Sequence, residues 1–164
     1  MAKDGEVLLG QKAECIVTNF SGTVTSITEN LFGCRRIGIQ PPIGTDGKIP
    51  DSMDIDEPQV KVTDKKQIIK VAAPEPKIIL GQKVEDTVSG YKGIAYGRCV
   101  FLNGCTRYGV QEKYDAKSEK TPCTGKWFYE GQLKVVKEEI KKELDTSKNN
   151  LRTGGPITKS PSRY

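Results

Sequence analysis

Apolar and polar residues alternate in short runs through the second half of the chain, which is typical of half-buried β-strands. The runs cover residues 83–88, 94–102, 106–111, 127–129 and 133–136. A polar loop over residues 112–125 separates the first three runs from the last two. Four or five short strands of this kind predict a small antiparallel unit of about sixty residues.

The connections between these runs carry glycine where tight turns need it. Gly90 and Gly93 lie in the turn after the first run, where glycine adopts positive φ without steric cost. Asn103 and Gly104 join the next two runs and predict a two-residue hairpin turn with positive φ at both residues. Gly33 is predicted to form the equivalent turn in the first half of the chain.

This pattern of residues occurs twice in the chain. Residues 9–64 match residues 77–136 in order and in residue type. The matched pairs include Gly10 and Gly81, Lys12 and Lys83, Glu14 and Glu85, Phe20 and Tyr91, Gly22 and Gly93, Cys34 and Cys105, Arg36 and Arg107, Gly38 and Gly109, and Gln40 and Gln111. Glycine, cysteine and glutamine recurring in one register indicate a tandem duplication.

The two copies differ most in the segment before the last strand. In the first copy an acidic stretch, residues 51–57, stands where the second copy carries Trp127 and Tyr129, while Ile55 matches Phe128. The second copy also has the longer loop before this segment. We therefore expect one copy to serve mainly as scaffold and the other to contact a ligand.

These features predict a mainly β protein with two tandem small SH3-like β-barrel repeats, a short C-terminal helix and an extended basic tail. The helix is predicted over residues 137–145, where Glu138 and Lys142 are spaced for an ion pair on one helix face. A further strand is predicted over residues 67–71. The predicted boundaries are 1–71 for the first repeat, 72–76 for a proline-rich connector, 77–145 for the second repeat with its helix, and 146–164 for the tail.

The composition indicates where the protein is made. Among 164 residues, 35% are hydrophobic, and no run approaches the roughly 20 apolar residues of a membrane span. The first residues lack the apolar stretch of a secretory signal. We therefore expect a protein made in a cytosol without membrane association. The net charge of +5 indicates an anionic partner only weakly, because acidic residues are nearly as numerous as basic ones.

The sequence lacks the residue sets of common catalytic sites. It contains no histidine, which excludes Ser–His and Cys–His nucleophile pairs. It also contains no Gly-x-x-x-x-Gly-Lys-Ser/Thr phosphate loop and no Cys-x-x-Cys pair. We therefore expect a protein that is not an enzyme and that has no cofactor and no metal.

Two groups of polar residues have alternative interpretations. Cys34 and Cys105 are predicted to be small buried residues at the start of a strand. The disulfide pairing of the five cysteines stays open, although an odd count leaves at least one thiol without an internal partner. Asp54, Asp56 and Glu57 are suited to a hard cation, but an exposed acidic loop is the favoured interpretation.

Basic and aromatic residues alternate along the second repeat, and more basic residues follow in the tail. On a small β-unit they are able to stack bases and hold phosphates, or they are the solvated faces of half-buried strands, which is the favoured interpretation. The candidate partner-binding residues are Tyr91, Lys92, Arg98, Arg107, Tyr108, Trp127, Tyr129, Arg152 and Arg163.

Three segments of the second repeat resemble a family of small, mostly uncharacterised β-barrel proteins of tailed bacteriophages and prophages. They are residues 88–95, 102–111 and 126–133, and the tail segment 153–156 is similar as well. The first repeat resembles the family more loosely, through Phe20, Gly22 and Gly38 among others. The resemblance implies a phage source and leaves the activity open.

The resemblance and the missing catalytic residues together favour a non-enzymatic virion protein. We expect a structural or accessory component of the capsid, neck or tail, made in the host cytoplasm and located in the virion. Its expected partners are phage structural proteins in a symmetric assembly, because edge strands and extended tails add to a partner's sheet. The alternative is a cytosolic phage protein that binds a nucleotide or nucleic acid, with counter-defence as one role; nucleic acid is the less favoured partner.

Overall fold

The computed structural model describes residues 6–71, 74–117 and 125–139, the last three of these by their backbone alone. Within these ranges the chain forms one antiparallel sheet of ten strands and has no α-helix. The strands are β1 (Lys12–Cys15), β2 (Ser21–Asn30), β3 (Arg36–Gln40), β4 (Met53–Asp56), β5 (Val60–Asp64), β6 (Gln82–Asp86), β7 (Lys92–Phe101), β8 (Thr106–Gln111), β9 (Lys126–Tyr129) and β10 (Leu133–Glu139). The mainly β class predicted from the hydrophobic pattern is confirmed.

Each half of the sheet has the same strand order. The first unit runs β5-β1-β2-β3-β4, and the second runs β10-β6-β7-β8-β9. A short 3₁₀ turn precedes the last strand of each unit, at Glu57–Gln59 and at Glu130–Gln132. The two units therefore share both their connectivity and the position of this turn.

Matched positions before the long loop lie 71 residues apart, as Gly22 and Gly93 do. The backbone repeats its unusual conformations at the same spacing. Positive φ occurs at Gly10 and Gly81, at Asn19 and Gly90, and at Gly33 and Gly104. Because such φ values are rare for residues with a Cβ, their repetition shows that corresponding turns have the same geometry.

The two units join through their longest strands, β2 and β7. Thr28 lies opposite Cys99, and these two positions correspond to each other in the repeat. Ser26 opposite Phe101 corresponds to Asn30 opposite Gly97, with the strands exchanged. Each unit thus presents the same stretch of strand to the other, as in an isologous dimer interface. A pseudo-two-fold axis passes between Thr28 and Cys99.

Each unit has its own hydrophobic core on one side of the sheet. The first core contains Val24, Ile37 and Ile39, which are fully buried, and it also takes in Val100 from β7. The second core is smaller and contains Val84 and Tyr108, both at 0% exposure. The opposite side of the central strands is left uncovered by these cores.

The prediction of two SH3-like β-barrels is wrong in one respect, because the sheet is open and not closed into barrels. Among the described residues, strands β4, β5, β9 and β10 each pair on one side only. The part of β2 that extends beyond β1 pairs with β7 instead of closing its own unit. Backbone pairing in this region therefore joins the two repeats, and the four outer strands remain edges.

The predicted helix over residues 137–145 is contradicted at its start, because β10 continues to Glu139 and pairs there with Gln82 of β6. Sheet pairing overrides the helical composition of this segment, as tertiary context often does. The rest of the predicted helix and the tail lie outside the described residues. The strand predicted over residues 67–71 is also wrong: Gln67 and Ile68 hydrogen-bond to the backbone at Leu9 and Gly10 without joining the sheet.

The hairpin between β7 and β8 lies where the sequence predicts it, but its turn differs. Gly104 has φ of 85°, whereas Asn103 does not have positive φ. The amide of Gly104 donates to the carbonyl of Phe101, and the amide of Cys105 donates to the Asn103 side chain. This is the hairpin class in which a turn is followed by a glycine in the left-handed region. The Asn103 side chain stabilises the turn, and only Gly104 carries the positive φ.

Candidate binding groove on the pseudo-two-fold axis

The uncovered side of the central strands forms a groove of about 540 Å³ across the pseudo-two-fold axis. Its middle is a row of cross-strand neighbours that passes through six strands. In order from β4 to β9 the row is Asp56, Arg36, Thr28, Cys99, Arg107 and Tyr129. The row places one arginine on each side of the central Thr28–Cys99 pair. Each arginine lies on the next strand, about 4.8 Å away.

The floor of the groove is polar and uncharged at the axis. Cys99 is a free cysteine with 7% of its surface exposed. Burial raises the pKa of its thiol, the charge of Asp54 raises it further, and hydrogen bonding to Thr28 lowers it in part. The thiol therefore stays protonated at neutral pH and adds no charge to the floor.

The two arginines occupy equivalent positions but have different neighbours. Arg36 forms an ion pair with Asp56 at 3.3 Å and donates a hydrogen bond to the Asp54 backbone carbonyl at 3.2 Å. Arg107 stacks over the ring of Tyr129, with its guanidinium carbon 4.5 Å from the ring centre. The buried Nε of Arg107 has no hydrogen-bond partner among the described residues. The arginine charge is thus neutralised by Asp56 on the first-repeat side, whereas Arg107 has no ion pair within the part of the chain that the structure describes.

An aromatic wall borders the groove on the second-repeat side. The rings of Tyr96 and Trp127 meet edge to face, with centroids 5.8 Å apart. Tyr96 lies directly over Gly109 and Gly125, where a Cβ would collide with its ring. Trp127 keeps 38% of its surface exposed. The two glycines therefore leave room for the Tyr96 ring, and Tyr96 in turn supports Trp127 at the edge of the groove.

The structure brings three of the predicted partner-binding residues together in this region. Arg107 and Trp127 line the groove, and Tyr129 supports Arg107 from the neighbouring strand. Tyr91 lies elsewhere, because it packs on Phe128 against the second core. Lys92 is exposed and forms an ion pair with Glu85 at 3.6 Å outside the groove.

Two other residues predicted to bind a partner are buried, so the prediction is wrong for them and their role is structural. Tyr108 has no exposed surface and lies in the second core. Arg98 is 7% exposed, pairs with Glu29 at 3.7 Å and donates to the carbonyl of Pro74. Both lie on the core side of the sheet, so neither is accessible to a partner. Arg152 and Arg163 lie outside the described residues.

Two expectations about the remaining polar groups are wrong. Cys34 and Cys105 are exposed, precede their strands and each follow a glycine with positive φ. Asp54 and Asp56 belong to strand β4 and not to an acidic loop, and Glu57 pairs with Arg35 at 3.0 Å. Over the described ranges, no group of acidic or cysteine side chains is arranged to hold a metal ion.

Sequence reasoning missed the first-repeat side of the groove. Ser26, Thr28, Arg36 and Asp54 line it, and Cys99 of β7 lies opposite Thr28 at the axis. The matched pair Arg36 and Arg107 was a usable signal, since it marked one position in both copies. Their convergence on one groove depends on the β2–β7 pairing, which joins residues far apart in sequence.

A scan against protein-family models finds no match, and searches of curated proteins and of solved structures find no similar protein. Over the described ranges, no helix has the length and apolar character required to cross a membrane.

Proposed function

We propose that this chain is a non-enzymatic bacteriophage virion protein, a structural or accessory component that docks onto a partner protein through the groove face. The observation that supports this proposal is the exposure of Trp127 and Tyr129 beside Arg107 on an uncovered sheet face. Tryptophan, tyrosine and arginine are the residues enriched at the centres of protein interfaces. A rigid sheet holds them in place, so little conformational entropy is lost on docking.

The architecture supports the same proposal. We infer that each unit is an SH3-like repeat left open, since both have the five-strand order and the 3₁₀ turn described above. The open edges at β4 and β9 flank the groove face. Unpaired edge strands add readily to a partner's sheet, which suits a component of a symmetric assembly.

Mass spectrometry of gradient-purified particles tests the location of the protein. We expect the chain in particles at a fixed ratio to the major structural proteins. Its absence from purified particles, together with its presence in the infected-cell lysate, would contradict the proposal.

Particle incorporation of variants tests the docking face. Trp127→Ala and Tyr129→Ala are expected to reduce incorporation at least tenfold, the scale of an interface hot spot. Tyr114→Ala is the matched control, because Tyr114 is an exposed aromatic residue outside the groove. Incorporation of all three variants at the level of the parent protein would show that the groove face is not the docking surface.

A second candidate is a cytosolic phage protein that binds a nucleotide or nucleic acid, with counter-defence as one role. The observation that favours it is the pairing of Trp127 with Tyr96 beside the unneutralised Arg107, in a groove whose volume falls in the range of small-ligand sites. Titration with labelled oligonucleotides at several salt concentrations tests it. Affinity that falls as salt rises supports this function, and the absence of binding at low salt excludes nucleic acid.

A further inference from the structure

The pseudo-two-fold groove has the features of a site for one small anionic ligand with a flat ring. We propose that it binds a nucleoside monophosphate, with the phosphate at the axis between Arg36 and Arg107 and the base on the Trp127 side. This inference rests on the second candidate function and specifies its ligand and its site.

The phosphate position follows from the central row of the groove. Arg36 and Arg107 flank the Thr28–Cys99 pair on the neighbouring strands β3 and β8 and line the same groove. Thr28 adds a hydroxyl at the axis, and the Cys99 thiol is neutral. A phosphate placed there would accept a charge-assisted hydrogen bond from Arg107 and a second one from Nη1 of Arg36, which takes no part in the contacts of Arg36 with Asp56 and Asp54. Stacking on Tyr129 uses the flat face of the Arg107 guanidinium, and its Nε is buried, so we assign its terminal N–H groups to the phosphate.

The direction of the base follows from the difference between the two sides. The second-repeat side has Trp127 supported by Tyr96, and bases stack on such rings. The equivalent position on the first-repeat side is Asp54, which offers no ring for a base to stack on. The groove is therefore symmetric in its backbone and asymmetric in its chemistry. This asymmetry favours one ligand in one orientation per chain.

Fluorescence offers a direct measurement, because Trp127 is the one tryptophan in the sequence. The full chain is titrated with AMP, with adenosine and with ribose 5-phosphate. We expect AMP to change the emission of Trp127 in a saturable way. Adenosine lacks the phosphate and ribose 5-phosphate lacks the base, so each is expected to bind at least tenfold more weakly than AMP.

Calorimetric titration of AMP into variants tests the assignment of residues. Arg107→Gln and Trp127→Ala are each expected to weaken AMP binding about tenfold or more. Lys92→Gln is the matched control, because Lys92 is an exposed cation outside the groove, and it is expected to bind AMP like the parent. Circular dichroism melts verify that the variants fold.

Each other outcome overturns the inference in a distinguishable way. If AMP fails to bind while labelled oligonucleotides do, the second candidate function stands and the mononucleotide site is wrong. If AMP binds equally well to Arg107→Gln and to the parent, the ligand occupies another site. If neither AMP nor oligonucleotide binds and particle incorporation depends on Trp127, the groove is a protein-docking surface.

Discussion

The two sides of the groove show how a duplicated unit changes its chemistry without changing its backbone. Arg36 and Arg107 stand at equivalent positions, but one is paired with Asp56 and the other is stacked on Tyr129. On the next strand row, Asp54 and Trp127 are equivalent. The first-repeat side therefore carries carboxylates that neutralise its arginine, and the second-repeat side carries aromatic rings beside its arginine.

Several of the positions that did not diverge are under backbone constraint. Gly22 and Gly93 both lie against a backbone carbonyl, of Gln40 and Gln111 respectively. The turn glycines Gly33 and Gly104 both keep positive φ. Steric limits account for the glycine kept at these positions in both copies, whereas the groove-facing positions of Asp54 and Trp127 changed.

The largest expected effect comes from filling the close backbone contacts. Gly22→Val and Gly93→Val each place a Cβ against the carbonyl of the neighbouring strand. We expect each to lower the free energy of unfolding by about 3 kcal/mol, because two packed strands have to separate locally. Thermal and urea melts measure this loss. Gly131→Ala is the control, since a Cβ there meets nothing within 4 Å, and a parent-like melt of Gly93→Val would show that β7 and β8 are not this close.

The next largest loss of stability is expected from substitutions that strain the backbone conformation without disturbing side-chain packing. A Cβ at Gly33 or Gly104 meets nothing within 4 Å, so substitution acts through φ alone. We expect Gly33→Val and Gly104→Val to lose about 1–3 kcal/mol of stability each, measured by thermal melts. Gly104→Asn is the matched control and should lose less, because asparagine tolerates the left-handed region better. Equal melting of parent and Gly104→Val would place the turn elsewhere.

A smaller effect on stability depends on pH and is expected from the second repeat but not from the equivalent position of the first. Asp86 accepts hydrogen bonds from the amide and hydroxyl of Ser89, and these bonds lower its pKa. A carboxyl with a lowered folded pKa stabilises the fold above its unfolded value, near 4, and this contribution is lost as pH falls through the folded pKa. The equivalent position in the first repeat is Cys15, which does not ionise in acid.

We therefore expect Asp86→Asn to flatten the acid limb of the stability curve, and Cys15→Ser to leave its shape unchanged. Urea melts between about pH 2 and pH 6 measure the two curves. An acid limb that is as steep in Asp86→Asn as in the parent would assign the pH dependence to other carboxylates.

The smallest expected effect comes from the two groove arginines. The Arg36–Asp56 pair is half exposed, and such pairs contribute at most about 1 kcal/mol. Stacking of Arg107 on Tyr129 is of similar size. We expect Arg36→Gln and Arg107→Gln each to lose under about 1 kcal/mol in thermal melts, so that any larger effect on ligand binding reports the site itself. A loss of several kcal/mol would assign these arginines to the fold instead.

The elements predicted best are those specified by neighbouring residues. The run over 106–111 coincides with β8, and the runs around 94–102 and 83–88 are close to β7 and β6. Their apolar alternation and flanking glycines are local signals. At residues 137–139 the predicted helix is wrong, because the composition of this segment favours a helix but β10 continues to Glu139, which pairs with Gln82 of β6.

The candidate site was predicted only in part, for a related reason. Arg107, Trp127 and Tyr129 were identified from their residue types, but Tyr108 on the same strand as Arg107 and Arg98 on the neighbouring strand β7 are buried. Which residues of a strand face the core depends on register, and a bulge lies between Ala95 and Gly97 of β7. A shift of one residue exchanges the two faces of a strand, so residue type alone did not separate them.

The sequence by itself determined the duplication, the strand positions and the turns that need glycine, because these depend on contacts and φ values within a few residues. The tertiary structure decided that the sheet is open, that β2 pairs with β7 and that two equivalent arginines meet at one groove. These features arise from pairing between segments about seventy residues apart. Long-range pairing is set by the register and free edges of whole strands, which no short stretch of sequence specifies.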